Sequence, residues 1–135
     1  IYYHFLIHPS IASARMGTSL FKTGRFTRDE RVKRSSDIKK LFKTGNKVST
    51  KGAKFFYLPN QLGINRIAFA IPRGYGNAVQ RNKSKRISRE VYRHYKMSMK
   101  TGFDMILLVY PGNDDFNQRS AQFRSLCQKA GILQI

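Results

Sequence analysis

The period of the apolar positions changes several times along the chain, and each change marks an element. Ile38, Leu41 and Phe42 recur at i, i+3 and i+4 between the polar cluster Ser35-Ser36-Asp37 and Gly45, which predicts a short helix capped by that cluster and stopped by the glycine. Lys47 to Thr50, Phe55 to Asn60 and Arg66 to Ile71 are rich in β-branched and aromatic residues. Gly52, Pro59-Asn60 and Gly63-Ile64-Asn65 separate them, so three antiparallel strands are expected. After Gly74-Tyr75-Gly76-Asn77 a run without Gly or Pro reaches about Ser98, and Ile87, Val91 and Tyr95 at i, i+4 and i+8 predict a long helix packed through that stripe. Asp104 to Tyr110 (DMILLVY) is almost continuously apolar and suits a strand buried on both faces, ended by Pro111-Gly112. Asp114-Asp115 then caps a last helix whose Phe116, Phe123, Cys127 and Ala130 share a stripe. The expected order is αβββαβα, with no internal repeat and no low-complexity segment.

Ahead of these elements, Ile1 to Ala14 carries a short apolar run with no basic segment before it, far below the roughly 20 residues that span a bilayer. Residues 1–24 are expected to be a leader or flexible extension, with Met16 as the native start, and residues 25–131 to form one α/β domain. A chain of 135 residues, 41% of them apolar, is enough for one packed core and too short for two.

Charge adds what the pattern cannot. The chain holds 26 Lys and Arg against 7 Asp and Glu, a net charge of +19, and 21 of the basic residues lie between Arg25 and Lys100 with only 4 acidic ones. Self-repulsion of that size is tolerated when a polyanion neutralises it, so nucleic acid is the leading partner class. Seven scattered carboxylates do not supply the converging ligands of a two-metal nuclease site. One cysteine, Cys127, allows neither an internal disulfide nor a cysteine-based zinc cluster, and it reads as a core thiol in a cytoplasmic protein. His4, His8 and His94 have no carboxylate or second histidine at ligand spacing, so no catalytic or metal-binding role is assigned to them.

On a helical wheel, Arg81, Lys85, Arg86, Arg89, Arg93 and Lys96 fall within an arc of roughly 140°, with Asn82 at its middle. Solvated helices interleave Glu with Lys, whereas Glu90 is the one acid between Arg81 and Lys100. Four of the six cations are Arg, whose planar fork suits phosphate. The apolar side is narrow and needed for the core, which argues against a membrane-surface helix. A second cationic surface surrounds Phe42, Phe55, Phe56 and Tyr57, flanked by Arg31, Lys33, Arg34, Lys39, Lys43, Lys51 and Lys54, a composition that suits stacking of a single strand. Strand alternation puts Phe55 and Tyr57 on one face and Phe56 on the other, which leaves core and cleft readings open for Phe42, Phe56 and Ile38.

The segment GNAVQRNKSKRISREVYR, Gly76 to Arg93, resembles the signature of the protein subunit of bacterial ribonuclease P. Arg81, Asn82, Lys85, Arg86, Arg89 and Glu90 fit that signature, and Lys83 stands where Arg is usual. Arg31 to Gly45 resembles the family's first helix and Arg66-Ile67-Ala68 the strand leading to the signature. Ile38 stands where an aromatic is frequent, and Arg73-Gly74 where two lysines are. The resemblance implies an α+β single-domain αβββαβα sandwich with a four-stranded mixed sheet and a left-handed βαβ crossover, as in the second domain of ribosomal protein S5. It implies that Arg81, Asn82, Lys83, Lys85, Arg86, Arg89 and Arg93 bind the RNA subunit. It likewise implies a cleft of Arg31, Lys33, Arg34, Ile38, Phe42, Phe56 and Arg66 for the single-stranded 5′ leader of precursor tRNA. The expected partners are ribonuclease P RNA and precursor tRNA, with no membrane and no protein partner. The implied activity is that of a tRNA-processing endoribonuclease in which the RNA subunit, holding most of the Mg²⁺, cuts the leader, and no side chain of this chain is catalytic or a metal ligand. A non-catalytic ribosomal or assembly-type RNA-binding protein is the alternative with the same size and charge.

Overall fold

A computed structural model describes residues 2–4, 26–112 and 114–134. The elements are β1 (Tyr2–His4), α1 (Ser35–Thr44), β2 (Asn46–Thr50), β3 (Ala53–Pro59), β4 (Arg66–Ile71), α2 (Ala78–Tyr95), β5 (Phe103–Val109) and α3 (Phe116–Ala130). One sheet runs in the order β1-β4-β5-β3-β2. Its neighbours are antiparallel except β4 and β5, which are parallel and joined through α2, the βαβ connection that the resemblance implies. The expected four-stranded mixed sheet is β2 to β5. Tyr2–His4 adds a short fifth strand along the outer edge of β4, with Tyr2 opposite Ile71 and His4 opposite Phe69. That strand falls within the stretch read as a leader or flexible extension; Met16 and its surroundings lie outside the described residues.

Alternation decides which side of the sheet each residue serves. Phe55, Ile67, Phe69, Met105 and Leu107 point to one face and form the larger core with Val91 and Tyr92 of α2 and Phe123, Leu126 and Cys127 of α3. Phe56, Ala68, Ala70, Ile106 and Leu108 point to the other and form a smaller core with Val32 and with Ile38 and Leu41 of α1. β5 contributes to both, so its continuous apolar run is a strand buried on two faces. Phe26 closes the larger core, its ring edge-on to Phe69 at 6.1 Å and to Tyr92 at 5.7 Å.

The helix ends depart from the sequence pattern in one place. Ser35, Ser36 and Asp37 are not the cap of α1 but its first turn; Arg34 is the cap residue, and Ile38 N–H donates to its carbonyl at 3.1 Å. Asp37 suits that position because a carboxylate in a first turn meets the positive end of the helix dipole. Gly45 ends α1 with extended backbone (φ −68°), not a left-handed turn. A Cβ there would collide with the Leu41 carbonyl oxygen, so the glycine makes room for the direct passage into β2. α2 has a reciprocal cap, with Asn77 Oδ1 accepting from Gln80 N–H and Gln80 Oε1 accepting from Asn77 N–H, both at 2.9 Å. Asp115 caps α3 through Gln118 N–H at 2.8 Å.

The inner stripe of α2 also differs from the expected Ile87, Val91 and Tyr95. The buried positions are Ser84, Ser88, Val91, Tyr92 and Arg93, while Ile87 and Tyr95 are only partly covered. The cause is α3, which lies against α2 and inserts Arg119 between the two helices. Arg119 Nη1 donates to Ser84 Oγ at 3.2 Å and Ser88 Oγ at 2.5 Å, and its Nη2 pairs with Asp114 at 2.7 Å. Two serines at i and i+4 leave the room and the acceptors that a guanidinium needs.

Candidate nucleic-acid interface

With the serine stripe turned inward, α2 presents Asn82, Lys83 and Arg86 to solvent, and Arg81, Lys85 and Arg89 flank them half-buried. Burial lowers the Lys85 ammonium below its ordinary value, and the neighbouring Arg81 lowers it further. Burial likewise lowers Arg89, with Arg93 and Arg86 adding to it against the pull of Glu90. Cations that depress one another gain from a polyanion laid across them. Arg81 also holds the start of the helix, its Nη1 donating to the Gly76 carbonyl at 2.6 Å.

Two cations of the predicted arc do not join this face. Arg93 is 3% exposed, and its Nη1 lies 2.9 Å from Glu90 Oε1, so the structure takes it out of the solvent-facing RNA-subunit set. Lys96 turns to Glu30 at 2.7 Å, in the 3₁₀ turn Arg28–Glu30. A wheel gives each side chain its angle but not what other segments lay over it.

The second surface lies on the opposite face of the sheet. Arg31, Lys33, Arg34 and Arg66 line one pocket of about 190 Å³ together with Arg28 and Asp29. They converge because the chain before α1 runs beside the start of β4, where Val32 N–H donates to the Ile67 carbonyl at 3.3 Å. Burial and the neighbouring Arg28 lower Arg31. Arg66 is raised by its hydrogen bonds to Asp104, to which Nε and Nη2 donate at 2.8 and 2.6 Å. Asp37 stands 3.8 Å from the same guanidinium. These carboxylates hold the Arg66 fork at the junction with a wider groove of about 660 Å³ lined by Arg34, Asp37, Lys40, Leu58, Asn60 and Arg66 among others.

The apolar members of the proposed cleft divide. Ile38 is 1% exposed and Phe56 8%, both inside the smaller core, so the structure places both as packing residues and neither on a cleft wall. Phe42 is half-buried and meets Phe56 edge-on at 4.9 Å, two turns along α1 from Arg34. Phe55 and Tyr57 stack at 5.9 Å in the larger core, as alternation requires. Phe42→Ala is therefore expected to keep the fold and to weaken binding of a single-stranded RNA leader by about 1 kcal/mol, one lost stack, in a fluorescence-anisotropy titration. An unchanged affinity would show that Phe42 only packs against Phe56.

Cys127 is fully buried, and burial pushes its thiol up to about 12, the chemistry of an inert core residue. Among the described residues no three His, Cys, Asp or Glu side chains gather as a cation site, and no helix is long and apolar enough to cross a membrane. Sequence reasoning missed the Arg119 network, although a signal was present. Arg119 interrupts the apolar stripe Phe116, Phe123, Cys127, Ala130 at a position where a core-facing helix carries an apolar residue.

A family model described as Ribonuclease P matches residues 26–131. The ribonuclease P protein component of Natranaerobius thermophilus is 36% identical over 105 residues, 76% of this chain and 91% of that protein. The one from Thermoanaerobacter sp. is 32% identical over 104 residues, 76% of this chain and 90% of its own length. The fold superposes on the RNase P protein of Staphylococcus aureus with a TM-score of 0.70 at 22% identity, covering 77% of this chain and 97% of that one. Against the RNase P protein of Thermotoga maritima the TM-score is 0.68 at 24% identity, with coverage of 74% and 96%.

Proposed function

The chain belongs to the bacterial ribonuclease P protein family, and from that premise we propose that it binds the catalytic RNA through α2 while its second cationic surface holds the 5′ leader of precursor tRNA. The observation that supports this reading is the separation of two basic surfaces by the sheet, α2 on one face and the Arg31, Lys33, Arg34 and Arg66 pocket by α1 on the other. A protein built this way can hold two RNA strands at once. Asn82, Lys83 and Arg86 make the outer contacts to the RNA subunit, and Arg81, Lys85 and Arg89 frame them. Phe42 supplies a stacking edge for the leader, and Arg66, fixed by Asp104, positions a phosphate.

Mg²⁺ is proposed to enter with the RNA. The carboxylates do not fit such an ion: among the described residues no three of them gather as a cation site, and five of the seven face cations, Asp37 and Asp104 at Arg66, Asp114 at Arg119, Glu30 at Lys96 and Glu90 at Arg93. The chemical step therefore falls to the RNA subunit, and the residues described here bind and orient. Contacts confined to the leader are made in the precursor and lost in the mature product, so they favour substrate over product. The cytoplasm, where precursor tRNA is made, is the proposed site of action.

Reconstitution tests this. The protein alone is expected not to cleave precursor tRNA; with its RNA subunit it is expected to lower the Mg²⁺ required and to tighten precursor binding more than mature tRNA binding. Equal tightening of both would remove the leader contact and leave a general RNA-binding protein.

A further inference from the structure

The outward stripe of α2 carries more than phosphate-binding cations. Val79, Lys83, Arg86, Glu90 and His94 follow at i, i+4, i+7, i+11 and i+15, and Met97 extends the line into the next turn. Its cationic middle thus gives way to an aromatic and apolar end. There the His94 ring is exposed and stands edge-on to Phe116, the first residue of α3, at 6.0 Å and 85°. Phe116 is 41% exposed, and Met97, three residues beyond His94, is exposed as well. The ledge is rigid from behind. His94 meets the Tyr95 ring at 5.0 Å, and Tyr95 is tied to Ser120 by a 3.0 Å hydrogen bond and leans on Phe123 at 6.0 Å.

We propose that the His94–Phe116 ledge is a stacking site for an unpaired nucleobase of the RNA whose phosphates lie on Lys83 and Arg86. This rests on the reading of α2 as an RNA-binding helix. The chemistry favours a base over other occupants. Aromatic rings beside cations recognise single-stranded nucleic acid, the rings taking the base and the cations the phosphates. Arg86 and His94 are eight residues apart, about 12 Å along the axis, close enough for one short stretch of strand. Glu90 lies between them, but its carboxylate is paired with Arg93 at 2.9 Å, which offsets its repulsion of phosphate. A second copy of the chain would bring another +19 against this face.

The test compares His94→Ala, Phe116→Ala and the double variant with the parent, using the ribonuclease P RNA of the same bacterium and heparin as a polyanion without bases. The double variant is expected to bind the RNA about tenfold more weakly, the loss of one stack. Its dependence of log affinity on log salt should stay the same, because no phosphate contact has gone. Heparin binding should be unchanged, and His94→Phe should retain the parent's RNA affinity. In a Phe116→Trp variant, RNA should quench the indole emission and heparin should not. Circular dichroism checks the fold, and if Phe116→Ala loses it, His94→Ala, on an exposed helix position, carries the comparison. Unchanged RNA affinity, an equal loss for heparin, or a parent dimer that the double variant dissolves would each overturn the proposal. If Lys83→Ala and Arg86→Ala weaken RNA binding while the ledge variants do not, the ledge alone fails. If the parent does not bind the RNA, the reading of α2 fails with it.

Discussion

Replacing Lys83, Arg86 and Arg89 together by alanine is expected to lower affinity for ribonuclease P RNA roughly a hundredfold at physiological salt. It should also flatten the slope of log affinity against log salt by about two to three units. Each cation that neutralises a phosphate releases close to one counterion, so at about 0.15 M salt each contact is worth a factor of roughly five, and three compound to about 10². Lys83 and Arg86 are exposed, and burial beside Arg86 and Arg93 already disfavours the charge on Arg89. Arg81 is left in place because its guanidinium holds the Gly76 carbonyl at the start of α2. The free protein should melt no lower than the parent, since like-charge repulsion is relieved and the stripe of Ser84, Ser88, Val91 and Tyr92 is untouched. Affinity is read by filter binding over a salt series and melting by circular dichroism. An unchanged slope with unchanged affinity would make these cations a solvated face and end the assignment of α2 to the RNA subunit.

Local pattern located β2 to β5 and the three helices: apolar spacing and caps marked the helices, β-rich segments between turn residues marked β2 to β4, and a continuous apolar run marked β5. What it could not supply was everything that depends on contact between distant segments. Arg93 and Lys96 stood on the outward arc by angle, yet Glu90 and Glu30 draw them away from it. Ile38 stands where the family's first helix often has an aromatic, and the resemblance puts it in the cleft on that ground, but its packing with Leu41 against β3 and β5 makes it core. The pocket of Arg31, Lys33, Arg34 and Arg66 spans 35 positions of sequence, and it forms where the chain ahead of α1 pairs with the start of β4. No spacing rule reaches that far, and here the family resemblance named the residues before the geometry explained them. Ser84 and Ser88 carried a local signal in the opposite sense, because small polar residues at i and i+4 on an inner helix face announce a buried polar partner.

That partner gives the largest expected loss of stability. Arg119→Met should lower the free energy of unfolding by about 3 to 5 kcal/mol, the range seen when one member of a buried charge pair is removed. Arg119 is 2% exposed, so its charge is tolerated only through its partners: Asp114, the hydroxyls of Ser84 and Ser88, the Ser84 carbonyl and Gln122. Methionine fills a similar volume but donates nothing. Asp114 would then keep the Tyr75 hydroxyl as its donor and lose its cation, and two buried serine hydroxyls would lose theirs. Arg119→Lys should recover only part of the loss, because a single ammonium cannot reach the serines and Asp114 together as the planar fork does. Asp114→Asn should be much less costly in the Arg119→Met background than in the parent, since the carboxylate left unpaired there is the main penalty. Urea unfolding of the parent, the three single variants and the Arg119→Met/Asp114→Asn double variant measures all of this, and the melting temperature of Arg119→Met should fall by more than roughly 10 °C. A loss below about 1 kcal/mol, or strict additivity with Asp114→Asn, would show that the guanidinium merely occupies the gap between α2 and α3 and does not fix one helix against the other.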